Sequence, residues 1–325
     1  FYKDAFDKGA SICILDNDTE IDKKYKNKTI VLVDDTISCL QKLAKYKRSL
    51  YNIPVVAVTG SVGKTSTKEF IASVLATYYN VEVFSERHWE IVENFIKTFV
   101  KCGNNTLLVP IFTPPLDTHV GGERLTVQLI GVTRDAEGKY TFDFSLLERW
   151  VDLALSCGFK YFEIAHLFTQ WGAAHAPKIM ATTPNGYERI FGWETDATGE
   201  GYNTFIRQLL CELLDFLKAR GDDKRCFFHI SDEPNSEQLE QYMKSKNSVI
   251  DLLEGYPVMD ALSKVEFYRE GVVTNPIPSN NHIEPFLEAK VPDLWTYYCI
   301  GQFKDVPNTF IAMPGQRTRI LGLQM

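Results

Sequence analysis

Beyond about Phe84 the sequence alternates long amphipathic stretches with single short apolar runs, and this alternation constrains the fold more than any other feature. The apolar runs have the length and the β-branched or aromatic content of strands. They cover 105–112, 161–166, 226–231, 258–262 and 294–299. The stretches that read as helices include 88–101, 146–157, 202–219 and 236–253. Strands separated by helices at this spacing predict a (β/α)8 TIM-like barrel.

The first 80 residues have a different character. Short strands at 10–15, 29–33 and 52–58 are separated by amphipathic stretches, which predicts part of a parallel α/β sheet of the P-loop type. The sequence runs from one character to the other through 79–84 without a Pro-, Gly- or Ser-rich linker. We therefore predict two parts, 1–83 and 84–325, the second of them the TIM-like barrel.

Composition and charge limit the partners. The 325 residues include 35 Lys plus Arg against 42 Asp plus Glu, a net charge of −7, which is the wrong sign for binding nucleic acid or an anionic membrane. No apolar run reaches the roughly 18 residues of a membrane span, and no signal peptide is visible, so a cytoplasmic location is predicted. The chain begins at Phe1, so an upstream segment is expected. The seven cysteines are scattered without a CxxC pair, which predicts no metal site.

A glycine-bearing loop follows the third predicted strand. The segment VAVTGSVGKTSTKE covers 56–69, between a buried strand and a helix start. Backbone amides at such a turn and the positive end of the helix dipole bind phosphate oxygens. Gly60 and Gly63 would shape the loop, Lys64 would reach the outer phosphates, and Thr65 would hold Mg²⁺. The spacing departs from the Walker pattern, which has glycine where Val58 stands, so a purely structural turn is the alternative.

The segments FYKDAFDKGA, KTIVLVDDTISCLQKLAKYKR and VTGSVGKTSTKEFIASVLATYY resemble the Mur ligase family, most closely its D-alanyl-D-alanine-adding members. The resemblance covers residues 1 to about 82. It implies that the loop with Gly60, Gly63, Lys64 and Thr65 binds ATP with Mg²⁺, which activates a carboxylate. Nothing after Tyr79 resembles the rest of that family, so ligase activity is not expected.

Adjacent carboxylates end one of the later apolar runs. The segment CFFHISDEP, 226–234, leads from a strand to Asp232 and Glu233, and Pro234 ends the strand because it has no N–H for the ladder. Acidic groups at the carboxyl end of a barrel strand lie on the face that carries active sites. The alternative is that the pair only caps the following helix.

Other strand ends carry groups suited to sugars, which need aromatic faces for the ring and planar polar groups for the hydroxyls. The candidates are His166, Gln170, Trp171, Trp295, Tyr297 and Tyr298. The aromatic residues near 295 could equally belong to the core, and His166 could be an interior histidine. Lys178 and Arg124 could simply pair with local carboxylates.

These segments also resemble glycoside hydrolase family 123. The resemblance runs from FSERHWEIVENFIKTFVK through PIFTPPLDTHVGGERLTVQL, YFEIAHLFTQWGAAHAPKI, FHISDEP and MDALS to NTFIAMPGQRTRILGLQ, about 240 residues. It implies a retaining β-N-acetylgalactosaminidase that works by substrate assistance, with its Asp-Glu pair at Asp232 and Glu233. Asp260, in MDALS, joins the candidate substrate-binding residues.

The resemblance implies roles for these side chains. The 2-acetamido oxygen of the sugar attacks the anomeric carbon, so no enzyme nucleophile and no cofactor are needed. Glu233 would protonate the leaving oxygen and then deprotonate water, while Asp232 would orient the acetamido N–H. Tyr297 or Tyr298 could donate to the acetamido oxygen.

The two resemblances together predict a chimeric chain, a Mur-ligase-like fragment joined near Val83 to a glycosidase-like barrel that acts on a carbohydrate substrate. Relatives of the second part carry a β-sandwich before the barrel and continue past the position of Met325 through a last barrel strand to a β-domain. The resemblance therefore implies a barrel that is truncated at its C-terminal end. Two other functions stay open. One is a nucleotide-binding protein that uses Lys64 and its loop, and the other is a non-catalytic carbohydrate-binding barrel.

Overall fold

The computed structural model describes residues 2–36, 38, 39, 42, 46, 71–101, 103–115, 118–299, 301–308 and 313. The chain divides into two compact units, Phe1–Ala57 and Val58–Met325. The predicted boundary between residues 83 and 84 stays a prediction. The predicted phosphate loop at 56–69 lies outside the described residues.

The first unit contains a short helix and a pair of parallel strands. Helix α1 is Tyr2–Asp7, strand β1 is Ile12–Asp16, and strand β2 is Thr29–Val33. The strands pair in parallel, with Ile12 opposite Thr29. The rings of Phe6 and Tyr25 stack at 5.7 Å and are both buried. The strands predicted at 10–15 and 29–33 are therefore confirmed as a parallel pair, and the strand predicted at 52–58 lies outside the described residues.

The second unit is a mixed α/β structure. Its helices are α2 (Ile71–Tyr79), α3 (Glu86–Lys101), α4 (Ser145–Cys157), α5 (Glu200–Arg220), α6 (Leu239–Asn247), α7 (Glu266–Arg269) and α8 (Glu284–Glu288). Its strands are β3 (Thr106–Val109), β4 (Gly131–Arg134), β5 (Tyr140–Asp143), β6 (Tyr161–Ile164), β7 (Ile179–Thr183), β8 (Gly186–Phe191), β9 (Cys226–Phe227), β10 (Met259–Ala261) and β11 (Asn275–Ile277). No described helix has the length and apolar content that crossing a membrane would require.

Six segments of the second unit run parallel to one another, and their order in space is the same as their order along the chain. Strands β3, β6 and β9 pair in that order, and β10 pairs with β11. A parallel bridge joins Phe228 to Val258, and another joins Ser279 to Tyr297, so each segment has its chain successor as a neighbour. Within the described part of the chain no ladder joins β3 to the Tyr297 segment. The predicted TIM-like barrel is thus confirmed only as a mixed α/β fold with parallel strands, and a closed barrel is not found.

A second sheet was not predicted. It has the order β5-β4-β7-β8, in which β4–β5 and β7–β8 are antiparallel and β4–β7 is parallel. Its two hairpins turn at Gly138 and Gly186, whose φ angles of +83° and +115° lie in the region that favours glycine. The Asn-Gly pair at 185 and 186 is a hairpin signal that sequence reasoning overlooked.

The helix predicted over 236–253 is shorter in the structure. A 3-10 turn, Ser236–Gln238, precedes α6, and α6 ends at Asn247. Beyond it Leu252 and Leu253 donate to carbonyls three residues back, and the Ser248 hydroxyl donates to the Ser245 carbonyl. Tight turns and local serine bonds compete with the α-helical pattern, which is why the element stops.

Helix α5 packs an aromatic cluster against the second sheet. Phe205 is fully buried, with ring centroids at 5.0 Å from Tyr140, 5.1 Å from Phe191 and 5.9 Å from Phe142. Gly221 ends the helix in a left-handed conformation and donates to the Leu217 and Lys218 carbonyls. Helix α5 therefore packs against the sheet formed by β4, β5, β7 and β8.

We predict that Phe205→Ala lowers the free energy of unfolding by about 3–5 kcal/mol, because it removes a buried ring and leaves a cavity among aromatic neighbours. Urea unfolding followed by tryptophan fluorescence would measure the change. Tyr187→Ala, which alters a side chain that is 65% exposed, is the matched control and should change stability little. A loss below about 1 kcal/mol for Phe205→Ala would contradict the packing described.

Candidate functional site

Strand β9 contains only Cys226 and Phe227, but the chain continues beyond it in the same direction to Asp232 and Glu233. The backbone of this extension continues to pair with the segment that follows β6. The bonds run from Leu167 N to His229 O, from Phe168 N to Ile230 O, and from Trp171 N to Asp232 O, each at 3.1 Å. The carboxyl ends of these two parallel strands therefore meet, as predicted, and Asp232 and Glu233 follow at the end of β9.

Glu233 stands in an unusual backbone conformation. Its φ is +44°, in the left-handed region, and the residue is exposed, whereas Asp232 is half-buried. For a residue with a side chain this conformation costs free energy and is concentrated at functional sites. The chain thus turns sharply between the strand and Pro234, and the Glu233 carboxylate is accessible to solvent.

The side chain of Tyr297 contacts Glu233, the second residue of the pair. Its hydroxyl donates a short hydrogen bond to Glu233 Oε1. Burial, together with the negative charges of Glu233 and Asp232, raises the pKa of Tyr297 well above its ordinary value. Tyr297 therefore remains a neutral phenol that can donate one hydrogen bond among these carboxylates.

The alternative that the carboxylates cap the following helix does not describe this turn. The N-cap residue of Ser236–Gln238 is Asn235, whose side chain accepts from the amides of Glu237 and Gln238. Gln238 in turn accepts from the Asn235 amide, which completes a capping box. Neither Asp232 nor Glu233 occupies that position.

A charged cluster lies buried behind the strand end. His229 Nε2 is 2.9 Å from Glu163 Oε1, and His229 Nδ1 is 3.6 Å from Asp260 Oδ1. Burial alone would lower the pKa of His229, but the attraction of the Asp260 and Glu163 carboxylates outweighs burial and raises it to about 10. The two carboxylates therefore favour the protonated form of this buried imidazole.

His166 contacts the same cluster but stays neutral. Its ring stacks on His229 with centroids 4.5 Å apart and planes at 17°, and it is only 4% exposed. Burial and repulsion by His229 hold the pKa of His166 well below its usual range. His166 Nδ1 is buried without a hydrogen-bond partner. The structure thus places His166 behind the strand end, and its predicted role in substrate binding stays a prediction.

Asp260 is fully buried on β10, and its contacts are with protein groups. Oδ1 accepts from the amides of Ile230 at 2.9 Å and Ser231 at 3.3 Å. Oδ2 accepts from the hydroxyl of Tyr242, on helix α6, at 2.5 Å. Asp260 therefore joins β10, the extension of β9 and α6, and its predicted contact with substrate stays untested.

The remaining predicted residues lie around this strand end. Gln170 is buried and donates to the Thr118 carbonyl at 2.9 Å. Trp171 is 48% exposed with φ at +60°, and its amide bonds to Asp232. Trp295 is 44% exposed and packs edge-on against Phe227. The described contacts bring the Tyr297 hydroxyl to the Glu233 carboxylate and the Trp171 amide to the backbone carbonyl of Asp232, and Tyr298 is half-buried.

Lys178, one of the two residues for which pairing with a local carboxylate was the alternative, forms such a pair. Lys178 pairs with Glu123 at 2.9 Å and donates to the Arg124 carbonyl at 3.0 Å. Arg189 shares the same Glu123 carboxylate. The prediction that Lys178 pairs with a local carboxylate is confirmed.

Sequence reasoning missed Glu163, His229 and Tyr242 as parts of one cluster. Glu163 is a single polar residue in an apolar strand and Tyr242 a single aromatic residue in a polar helix, and neither carried a further signal. His229 stood in the quoted FHISDEP segment without a role. Among the described residues, no group of His, Cys, Asp and Glu side chains is arranged to hold a metal ion. Gly60, Gly63, Lys64 and Thr65 fall outside those residues, so their nucleotide site is untested.

Comparison with known proteins separates the two parts of the chain. UDP-N-acetylmuramoyl-tripeptide–D-alanyl-D-alanine ligases match the first 80 or so residues, the one from Rickettsia prowazekii at 42% identity over 87 residues and the one from Bacillus subtilis at 40% over 81 residues. The matches cover 27% and 25% of this chain, and the chain spans less than a fifth of either ligase, 18% and 17%. The similarity to Mur ligases over this stretch is confirmed.

The later part matches a different family. A structure of a family 123 glycoside hydrolase from Clostridium perfringens, described in connection with glycolipid glycan hydrolysis, aligns at a TM-score of 0.49 and 15% identity over 65% of this chain and 37% of its own. The model for the catalytic domain of glycoside hydrolase 123 matches residues 70–325. Because that match spans more than half of the sequence, the chain belongs to the glycoside hydrolase 123 family.

Proposed function

We propose that the chain is a glycoside hydrolase that removes terminal β-linked N-acetylhexosamine, N-acetylgalactosamine in the first instance, with retention and by substrate assistance. The observation that carries the proposal is the Asp232–Glu233 pair, at the carboxyl end of a parallel strand, with a neutral tyrosine hydroxyl bonded to Glu233. Membership of the family supports it.

Glu233 is the proposed general acid and base. It is exposed at the strand end, so its carboxyl group can reach the glycosidic oxygen of a bound sugar. It would protonate that oxygen as the bond to the anomeric carbon breaks, and the acetamido oxygen of the sugar would form the new bond from the opposite face. Glu233 would then take a proton from the water that opens the oxazolinium intermediate.

Asp232 is the proposed partner of the acetamido group. A carboxylate that accepts the acetamido N–H holds the group in line with the anomeric carbon and stabilises the positive charge of the intermediate. Of the two candidate tyrosines, Tyr297 is favoured as donor to the acetamido oxygen, because its hydroxyl is bonded to Glu233 and lies within the electrostatic influence of Asp232. Trp171 and Trp295 are proposed to contact the sugar ring through their exposed faces.

We also propose that the parallel segments from β3 to Tyr297 are consecutive strands of a TIM-like barrel. Such a barrel has eight parallel strands whose order in space follows their order in the chain, and the six parallel segments have this order. In that fold the carboxyl ends of the strands form the active-site face, where Asp232 and Glu233 follow β9.

We predict that Glu233→Gln lowers kcat about 10²–10⁴-fold on an alkyl β-N-acetylgalactosaminide, because an alkoxide needs protonation to leave. The loss should be smaller on the 4-nitrophenyl glycoside, whose phenolate leaves without a proton. Glu237→Gln, an exposed glutamate four residues further on, is the matched control and should keep full activity. Equal rates for wild type and Glu233→Gln on both glycosides would contradict the assignment.

Substrate assistance makes a separate prediction about the sugar. We expect that 4-nitrophenyl β-galactoside, which lacks the acetamido group, is not cleaved at a measurable rate, because the nucleophile is then missing. Initial rates of nitrophenolate release from the two glycosides at equal concentration would test this. Comparable rates would point to an enzyme nucleophile. Sugar binding by wild type without any hydrolysis would instead favour a non-catalytic carbohydrate-binding barrel.

A second function is favoured by the ligase similarity of the first 80 or so residues. We propose that the loop with Gly60, Gly63, Lys64 and Thr65 binds ATP with Mg²⁺, since its amides and lysine suit phosphate oxygens. Calorimetry with Mg-ATP should show binding that Lys64→Ala abolishes and that the nearby Lys68→Ala retains. No heat with the wild-type chain would exclude a nucleotide-binding role.

A further inference from the structure

Asp260 is the point at which three elements meet behind the proposed active site. Its two carboxylate oxygens accept from two consecutive backbone amides, Ile230 and Ser231, and from the Tyr242 hydroxyl. The two amides lie immediately before Asp232 in the chain. Any movement of the Asp260 carboxylate therefore changes the position of the backbone from which Asp232 and Glu233 project.

Ser231 is held from a second direction as well. Its hydroxyl donates to the Thr169 carbonyl at 2.9 Å, and the residue is fully buried. The segment before the carboxylate pair is thus bonded on one side to the strand end after β6 and on the other side to Asp260. Such bonding fixes the strand end and leaves the exposed turn at Glu233 as the next place where the backbone can move.

A buried carboxylate needs a counter-charge, and His229 provides it. The free energy cost of placing an anion away from water is several kcal/mol unless a cation and hydrogen bonds compensate. His229 is 4% exposed by its side chain, and it lies between Asp260 and Glu163. Since the imidazolium occupies the same strand extension as Ile230 and Ser231, the ion pair reinforces the amide contacts.

The other titratable groups around Asp260 are few in the described part of the chain. His166 is neutral and stacks on His229. Tyr242 is buried, and burial and the charge of Asp260 raise its pKa well above the ordinary value. Lys246 donates to the Val272 carbonyl at 2.6 Å and feels the charge of Asp260 from a distance. His229 is therefore the cation closest to the Asp260 carboxylate in this set.

We propose that Asp260 is a positioning residue for the Asp232–Glu233 pair, and that it acts through the Ile230 and Ser231 amides with its charge balanced by the His229 imidazolium. The inference deepens the proposed hydrolase function and rests on it. In this proposal Asp260 positions the catalytic pair and does not contact the sugar. His229 and Tyr242 help to hold the Asp260 carboxylate in place.

The key variant is Asp260→Asn, which keeps an oxygen acceptor and the volume of the side chain but removes the charge. Asp251→Asn is the matched control, since Asp251 also pairs with a cation, Arg207, but on the surface. We expect Asp260→Asn to lower kcat on the alkyl glycoside about 10–100-fold with KM within about threefold, because a misplaced acid slows the chemistry more than it weakens binding. Asp251→Asn should change neither constant by more than about twofold.

Two further measurements need no substrate. The imidazole of His229, followed by NMR of histidine-labelled protein, should titrate near 10 in wild type and well below that in Asp260→Asn, because one of its two carboxylate partners has lost its charge. Amide hydrogen exchange of the peptide 228–233 should become faster in Asp260→Asn and stay unchanged in Asp251→Asn. If Asp260 only filled space, its replacement would leave the titration of His229 unchanged. Because asparagine has the same volume, amide exchange of 228–233 would also stay unchanged.

The outcomes are distinct. If wild type hydrolyses none of the glycosides, the proposed function fails, and exchange and titration still decide whether Asp260 fixes the strand end. If Asp260→Asn keeps kcat within twofold and leaves both the exchange and the titration unchanged, the positioning role is overturned. Should Asp260→Asn not fold, Tyr242→Phe decides, because it removes one bond to Asp260 and keeps the charge. It should speed exchange of 228–233 and lower kcat, and no change in either overturns the proposal.

Discussion

The ion pair between His229 and its two carboxylate partners is the interaction on which the rest of the site depends. Glu163, His229 and Asp260 lie on or just beyond three neighbouring parallel strands, so one buried imidazolium joins elements that are far apart in sequence. Buried charges are costly when a partner is lost, which makes such a cluster more effective in specifying a single arrangement than in adding net stability. We infer that its value here is to fix the relative position of the strand ends.

The site is built outward from this cluster. Asp260 anchors the amides before the carboxylate pair, the segment after β6 bonds to the same extension, and Tyr297 approaches from the last parallel segment to contact Glu233. Glu233 itself lies in a left-handed turn, where backbone strain is tolerated because the residues before it are held. A buried layer of charged and polar groups therefore supports the strand end at which the exposed Glu233 meets the half-buried Tyr297.

Much of this architecture was predictable and some was not. The apolar runs beginning near 105, 161, 226 and 258 were correctly predicted as parallel strands, since short apolar segments between amphipathic helices leave few other folds. The sheet formed by β4, β5, β7 and β8 was missed because its strands are short and half-exposed, so their periodicity is weak. The buried cluster was missed for another reason. Glu163 and His229 are ordinary polar residues in sequence and acquire their meaning from the pairing of β6 with β9.

The sequence by itself determined that the chain carries two unrelated similarities, and it predicted Asp232 and Glu233 as a candidate catalytic pair, because adjacent carboxylates at a strand end form a local pattern. Only the tertiary structure decided which aromatic residue contacts them and that Asp260 is enclosed by protein groups rather than open to solvent. It also decided that the pKa values of the two stacked histidines shift in opposite directions although both residues are buried. The physical reason is that burial and electrostatic attraction depend on distances between residues that the linear order does not specify.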